Sequence, residues 1–420
     1  MVRIFLKNVV ALSFNDKSRL VLNVMMEKNL FKKIMKVLTP RTQLEAALHP
    51  KGTKPIHHRD YDIVGQELSF FRDVYHAHEL DHDFWTEKDI LCDMSKSTVA
   101  TTIIAGWYDF FVSQSFQDFE QGSKVKTAKP LKIICGPWSH WGIRSGTSIA
   151  FNAALDLFDK ALQQDDKFNN SNLVFEGNNR PTESIVKVLH SETRAKPRGS
   201  WLKFHSWPPK QHQDVSLFLD SRQNLNKSPS EVNGEDFTEQ IYDPEFPTPH
   251  LGGPNFDWLN SGRIEQSPLE IRDDVSVFTS AALQEDLLVI GNVYLKLYFW
   301  SSNPHTDVFV KLCDVDGKTK KSMNIMEKMT RLSPDKTSWD VQGYTELDID
   351  LGPIAVLFKK GNFVRIQVSG GAHPAYLRHS GTHDITSVKL EKARRRIMHS
   401  REYHSRLVLP IIKSESGDYV

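Results

Sequence analysis

Asp109 and His140 are the residues of this chain whose types and setting could move a proton between them. Asp109 closes the stretch Ala105-Gly106-Trp107-Tyr108-Asp109, and His140 closes Cys135-Gly136-Pro137-Trp138-Ser139-His140. A carboxylate that accepts from one imidazole nitrogen fixes the tautomer, so the other nitrogen can take a proton from a nucleophile. The same residues have a plainer reading, in which Asp109 caps a following helix and His140 lines a loop. Spacing alone favours the plainer one.

The elements that must position them are legible. Val99 to Ala105 is β-branched and nearly continuous, and Leu131 to Cys135 repeats the pattern. Both read as strands buried on two faces of a parallel sheet. Between them Val112, Phe116 and Phe119 fall on one helical face. The unit is strand, helix, strand, with a crossover long enough for parallel pairing. Chemistry in such sheets gathers beyond the carboxyl ends of the strands, where both Asp109 and His140 fall.

Gly106-Trp107-Tyr108-Asp109 followed by Gly136-Pro137-Trp138-Ser139-His140 resembles the acid and histidine motifs of the cocaine-esterase and X-Pro dipeptidyl-peptidase-like serine hydrolases. Ser206-Trp207-Pro208-Pro209, Arg272-Asp273-Asp274-Val275, Thr306-Asp307 and Leu407-Val408-Leu409-Pro410 are similar to that family's C-terminal region. The resemblance runs from about Tyr61 to about Ile411. It implies an α/β plus all-β protein: the last strands of an α/β-hydrolase core with the end of a helical cap, then a jelly-roll β-sandwich. The implied division is 1–95 for the N-terminal segment and cap remnant, 96–212 for the α/β part, 213–413 for the jelly roll and 414–420 for a tail. It further implies Asp109 as the orienting acid and His140 as the general base. Trp107, Tyr108, Trp138 and Trp141 would wall an acyl pocket, or serve as packing alone.

One part of the family pattern is missing. The nucleophile of these enzymes sits in Gly-x-Ser-x-Gly on a strained turn, and the sequence contains no instance of it. Ser139 adjoins His140, but neighbours on an extended chain point apart. Two readings follow. In one the chain is the later part of a hydrolase of ester or amide bonds, working on small molecules through an acyl-enzyme with a serine from elsewhere. In the other it is a non-catalytic paralogue, or a binding module that uses the jelly roll. No metal and no organic cofactor is implied.

The remaining sequence bounds rather than identifies. With 53 basic and 52 acidic residues the net charge is +1, which gives no support for nucleic-acid binding. Cys92, Cys135 and Cys313 are scattered and odd in number, so a reducing, cytoplasmic setting is the simpler expectation. No apolar run is long enough to span a membrane. A basic amphipathic helix near Leu30 to Leu38 is read as a solvated face rather than a membrane anchor. His57, His58 and the run His76-Ala77-His78-Glu79-Leu80-Asp81-His82 are read as surface histidines, because nothing upstream supplies the strand that would present a metal site.

Phe151, Leu155, Phe158 and Leu162 predict a helix covering the sheet with that stripe. Ile185 to Leu189 returns as a strand, and Trp201 to Pro209 reads as the seam. Short β-rich runs follow from Val215 to Pro410, separated by Gly, Pro and Asn turns. Pro244 to Pro254 reads as an irregular surface loop, and Lys389 to Arg396 as a solvated loop or strand edge.

Overall fold

The β-branched run after Val99 forms β1 (Thr101–Tyr108), and the run from Leu131 forms β2 (Leu131–Ser139). They pair in parallel from Thr101↔Leu131 to Gly106↔Gly136, with a bulge before Tyr108. The structure is a computed structural model, and it describes residues 94–97, 99–124, 131–140, 143–162, 185–189, 191–192, 201–255, 260–384 and 387–412. The crossover helix α1 (Val112–Ser123) buries Val112, Phe116 and Phe119, the face its spacing predicts. β3 (Ile185–Leu189) lies parallel to β2, and β5 (Trp201–Phe204) runs antiparallel beside β3, which makes a sheet of order β1-β2-β3-β5. A two-residue strand β4 (Ser191–Glu192) joins a different sheet.

The helix α2 (Ile143–Leu162) exists, but its buried side is not the one expected. Phe151, Leu155 and Phe158 are exposed, while Ala153 is buried. Lys132 of β2 lies 3.8 Å from Asp156, so the helix turns its smaller and polar residues towards the sheet. A large aromatic stripe needs depth that a helix laid close on a narrow sheet does not provide. Ile104 and Val99 are exposed as well.

The second layer is a long rolled sheet. Its strands are β6 (His212–Leu219), β7 (Asn224–Asn226), β8 (Phe237–Tyr242), β9 (Val275–Ser280), β10 (Leu287–Ser301), β11 (Thr306–Val315), β12 (Ser322–Leu332), β13 (Tyr344–Phe358), β14 (Phe363–Ser369), β15 (Ala393–Met398) and β16 (Arg406–Ile412). Neighbours follow the order β12-β11-β14-β9-β7-β6-β16-β10-β13-β4, with β15 attached to β10 and β8 to β15. β10 is the spine. One edge pairs with β13 along its whole length; the other pairs first with β16 and then with β15. Two runs read separately, Leu287 to Ile290 and Tyr294 to Trp300, are therefore one strand interrupted by an irregularity at Val293/Tyr294. Val293, Leu295, Leu297 and Phe299 alternate inward and are fully buried, each worth about 1.5–3 kcal/mol of burial.

β11 is buried at every residue. Val308, Val310 and Leu312 enter the core, and Asp307, Lys311 and Cys313 face the other way. That second face is covered by the proline- and glycine-rich segment after Pro244, which sequence reading left on the surface or against the α/β part. Instead it packs on this sheet. His250 donates and accepts backbone bonds to His373 and Asn260, and Gly253 exchanges two bonds with Gly262. Beneath it, Lys311 Nζ donates to Leu251 O at 2.6 Å and to Gln266 Oε1 at 2.8 Å, and lies 3.5 Å from Glu327. The other Glu327 oxygen meets His250 Nε2 at 2.8 Å. Buried charges need such company.

The basic run is also a correction. Ala393–Met398 is a strand held between β10 and β8, and Arg395 is fully buried. Alternation decides it: Arg394 and Arg396 face outward, while Arg395 points in with Ala393 and Ile397. Arg396 pairs with Glu239 at 2.8 Å, whereas Arg395 lies over the Phe299 ring and donates to Ser369 O. Burial holds the Arg395 guanidinium down at about 10.

At the end of β15, His399 is buried with Nε2 on Thr238 Oγ1 at 2.8 Å and its ring edge-on to Phe278. Burial lowers its pKa from 6.5 to about 4. The unfolded chain thus takes up a proton below about 6.5 that the folded chain refuses until about 4. Stability from this residue is complete above the higher value and is lost as pH falls towards the lower, by about 3 kcal/mol in all. The denaturant midpoint of the wild type should fall more steeply over that range than that of His399→Gln, which keeps a partner for Thr238 and does not titrate. Equal slopes would exclude His399 as the source.

The two layers meet through aromatic rings. Trp107 of β1 stacks on Phe116 of α1 at 5.6 Å, and Trp207 lies 4.3 Å from Phe116 and 6.3 Å from Trp107. Trp207 Nε1 donates to Asn292 Oδ1 of β10 at 3.4 Å. The strand that carries Asp109 is thereby fixed to the spine of the large sheet. α1 also packs on β13, where Gly352 faces Ser113.

Candidate active site

Asp109 leaves the carboxyl end of β1 in a tight turn, with its N–H on Gly106 O at 2.9 Å and its C=O accepting from Val112 N at 3.1 Å. One carboxylate oxygen, Oδ1, accepts the Phe111 N–H at 3.0 Å. The other, Oδ2, meets His140 Nδ1 at 3.1 Å. The carboxylate therefore closes the turn that leads into α1 and meets an imidazole at once. His140 follows directly on β2, the parallel neighbour of β1, which places the two groups at the same rim of the sheet. Their side chains keep 20% and 33% of their exposure, Asp109 the more covered.

Glycines permit this approach of the strands. Gly106 and Gly136 are register partners, and a Cβ on either would run into the Trp138 indole. Trp138 is buried across them. Tyr108 is buried too. Trp107, read as a pocket wall or as packing alone, faces α1 and packs in the Phe116 and Trp207 stack, because alternate residues of β1 take opposite faces. Trp141 lies outside the described residues, as do His57, His58 and the His76 to His82 run. Among the described residues no cluster of His, Cys, Asp and Glu is placed to hold a metal ion.

Sequence reading missed two aromatic rings. Phe110 stacks on His140 with centroids 4.7 Å apart and planes 28° apart, and Phe111 stands 5.9 Å from the same ring, edge-on. Their place immediately after Asp109 was the available signal. Cys135 was placed only as part of a strand, yet it lies close enough to Asp109 to feel its charge. Burial first, and the carboxylate second, push its thiol well above the usual range, so it is no nucleophile.

An acid–imidazole pair at the rim of adjacent parallel strands is an arrangement able to relay a proton. Comparison with known proteins agrees in family. A family profile described as "X-Pro dipeptidyl-peptidase C-terminal non-catalytic domain" matches residues 178–408, and one described as "X-Pro dipeptidyl-peptidase (S15 family)" matches residues 31–142. The cocaine esterase of Rhodococcus sp. is 26% identical over 371 residues, covering 84% of this chain and 63% of that enzyme. Among solved structures, an aminopeptidase from a marine sediment Thaumarchaeota archaeon superposes with a TM-score of 0.69 at 19% identity, over 86% of this chain and 62% of that one. An α-amino acid ester hydrolase does so with a TM-score of 0.67 at 19% identity, over 85% and 63%. The chain thus spans less than two thirds of the length of these relatives. No helix among the described residues is long and apolar enough to cross a membrane. The profile over 178–408 alone covers more than half of the sequence, and the chain belongs to the X-Pro dipeptidyl-peptidase and cocaine-esterase-like family of hydrolases.

Proposed function

We propose that this chain supplies the acid–base half of a serine hydrolase site that cleaves ester or amide bonds of small molecules. The observation that carries the reading is the 3.1 Å contact of Asp109 Oδ2 with His140 Nδ1 at the carboxyl ends of adjacent parallel strands. Nδ1–H donates to the carboxylate, which leaves the Nε2 lone pair to take the proton of an attacking serine Oγ. That serine comes from a Gly-x-Ser-x-Gly turn outside the sequence in hand. The acyl-oxygen bond to Oγ forms as the leaving group departs with the proton from Nε2, and water then regenerates the serine by the same relay. The relatives named as an esterase, an aminopeptidase and an amino acid ester hydrolase support a substrate class that includes both esters and amides. On this reading the large sheet is a jelly-roll sandwich over 213–413 and the α/β part is 96–212; the N-terminal segment and cap remnant expected over 1–95 lie, apart from 94–95, outside the described residues.

The test supplies to this chain the part of the Rhodococcus cocaine esterase that has no counterpart in it, and measures ester hydrolysis and labelling by a fluorophosphonate. Turnover that vanishes with His140→Ala supports the reading. Turnover indifferent to His140 sinks it.

A further inference from the structure

We propose that Phe110 is a positioning residue, whose ring holds the His140 imidazole in the orientation that gives Nδ1 to Asp109 and leaves Nε2 outward. The inference rests on the dyad reading above. The Phe110 ring stacks on the imidazole at 4.7 Å and 28°, a face contact that restrains rotation about the last side-chain torsion. Phe110 is itself half-buried, and its ring also meets that of the more exposed Phe111 at 4.3 Å. And the ring is not enclosed: His140 keeps a third of its exposure, with its Nδ1 on Asp109 at 3.1 Å.

Phe110 is locked to the carboxylate that it serves. It lies between Asp109 and Phe111, inside the turn closed by the Phe111 N–H on Asp109 Oδ1 and by the Val112 N–H on Asp109 O. Acid and restraining ring therefore move as one piece. When His140 takes a proton, the cation that forms lies against an aromatic face, which attracts it. A proton relay with this clamp would not depend on substrate binding to order its histidine.

The experiment reads the imidazole itself and needs no turnover, so a failure of the hydrolase reading and a failure of this one give different results. In the full chain, the low-field proton resonance of the Asp109-bound imidazole N–H, assigned by its loss in His140→Gln, is followed together with carbethoxylation of His140 by diethyl pyrocarbonate, resolved by peptide mass. Phe110→Ala should lose the resonance to exchange and raise the modification rate several-fold. Phe110→Tyr should keep both at the wild-type level. Phe110→Leu retains apolar bulk without a planar face, which separates stacking from simple filling if the alanine variant folds poorly. It should behave like alanine. A resonance and rate unchanged in Phe110→Leu would overturn the proposal, as would an alanine variant that folds and matches the wild type.

Discussion

In a form that carries a nucleophilic serine, His140→Ala should lower kcat by about 10⁶-fold while leaving KM close to that of the parent. On the proposed reading the imidazole is the base that takes the serine proton and the acid that returns it. Asp109→Asn should cost about 10⁴-fold for a different reason. Its amide would turn an N–H towards Nδ1 and favour the tautomer whose Nε2 already holds a proton. Its remaining oxygen can still accept the Phe111 N–H, so the start of α1 should survive. Both side chains are partly exposed, and neither change should unfold the protein. Single-turnover rates with an activated ester, beside thermal unfolding, separate the two effects. Normal turnover in the alanine variant would remove His140 from the mechanism.

Lys311→Met should be the most destabilising single change away from the dyad, by about 3–5 kcal/mol. Lys311 is fully buried, and its ammonium donates to Leu251 O and Gln266 Oε1 while facing Glu327. Methionine fills the space but takes the ammonium away from the buried Glu327 carboxylate, which keeps His250, from Gln266 Oε1, and from Leu251 O, which keeps Gln266 Nε2. The double variant Lys311→Met, Glu327→Gln removes the buried charge and should recover part of the loss. Guanidinium unfolding of the wild type, the single and the double variant tests this. A single variant within about 1 kcal/mol of wild type would mean that the network carries little of the stability.

How much of this was legible follows from the residues. β1, β2 and α1 were readable because β-branched runs and one helical stripe are local signals that tertiary contacts only reinforce. The Asp109–His140 meeting was readable too, since parallel pairing of two such strands brings their ends to one rim. The stripe of α2 misled, because amphipathic spacing says which residues share a face and not which face is buried; Phe151, Leu155 and Phe158 share one and expose it. Arg395 was hidden by its neighbours. A run of charges looks solvated until period-two alternation is tried on it, when Ala393, Arg395 and Ile397 line up as an inward set. The burial of the segment after Pro244 had no local signal at all, since it depends on Lys311 and Glu327, 60 and 77 residues beyond their partners Leu251 and His250. Phe110 belongs with these: aromatic type was visible, but its stacking partner lies thirty residues on.

The aromatic joint at Trp207 bears on how such proteins can be recombined. A cut at the sheet boundary near residue 212 would leave Trp207 on one fragment and Asn292, which receives its indole N–H, on the other. Grafting the later half onto a foreign partner would then bring a partner whose tryptophan, or lack of one, decides whether the acid-bearing strand stays anchored. A graft that begins before Trp201 carries the ring with its receiver, and that is where shuffling among relatives should succeed.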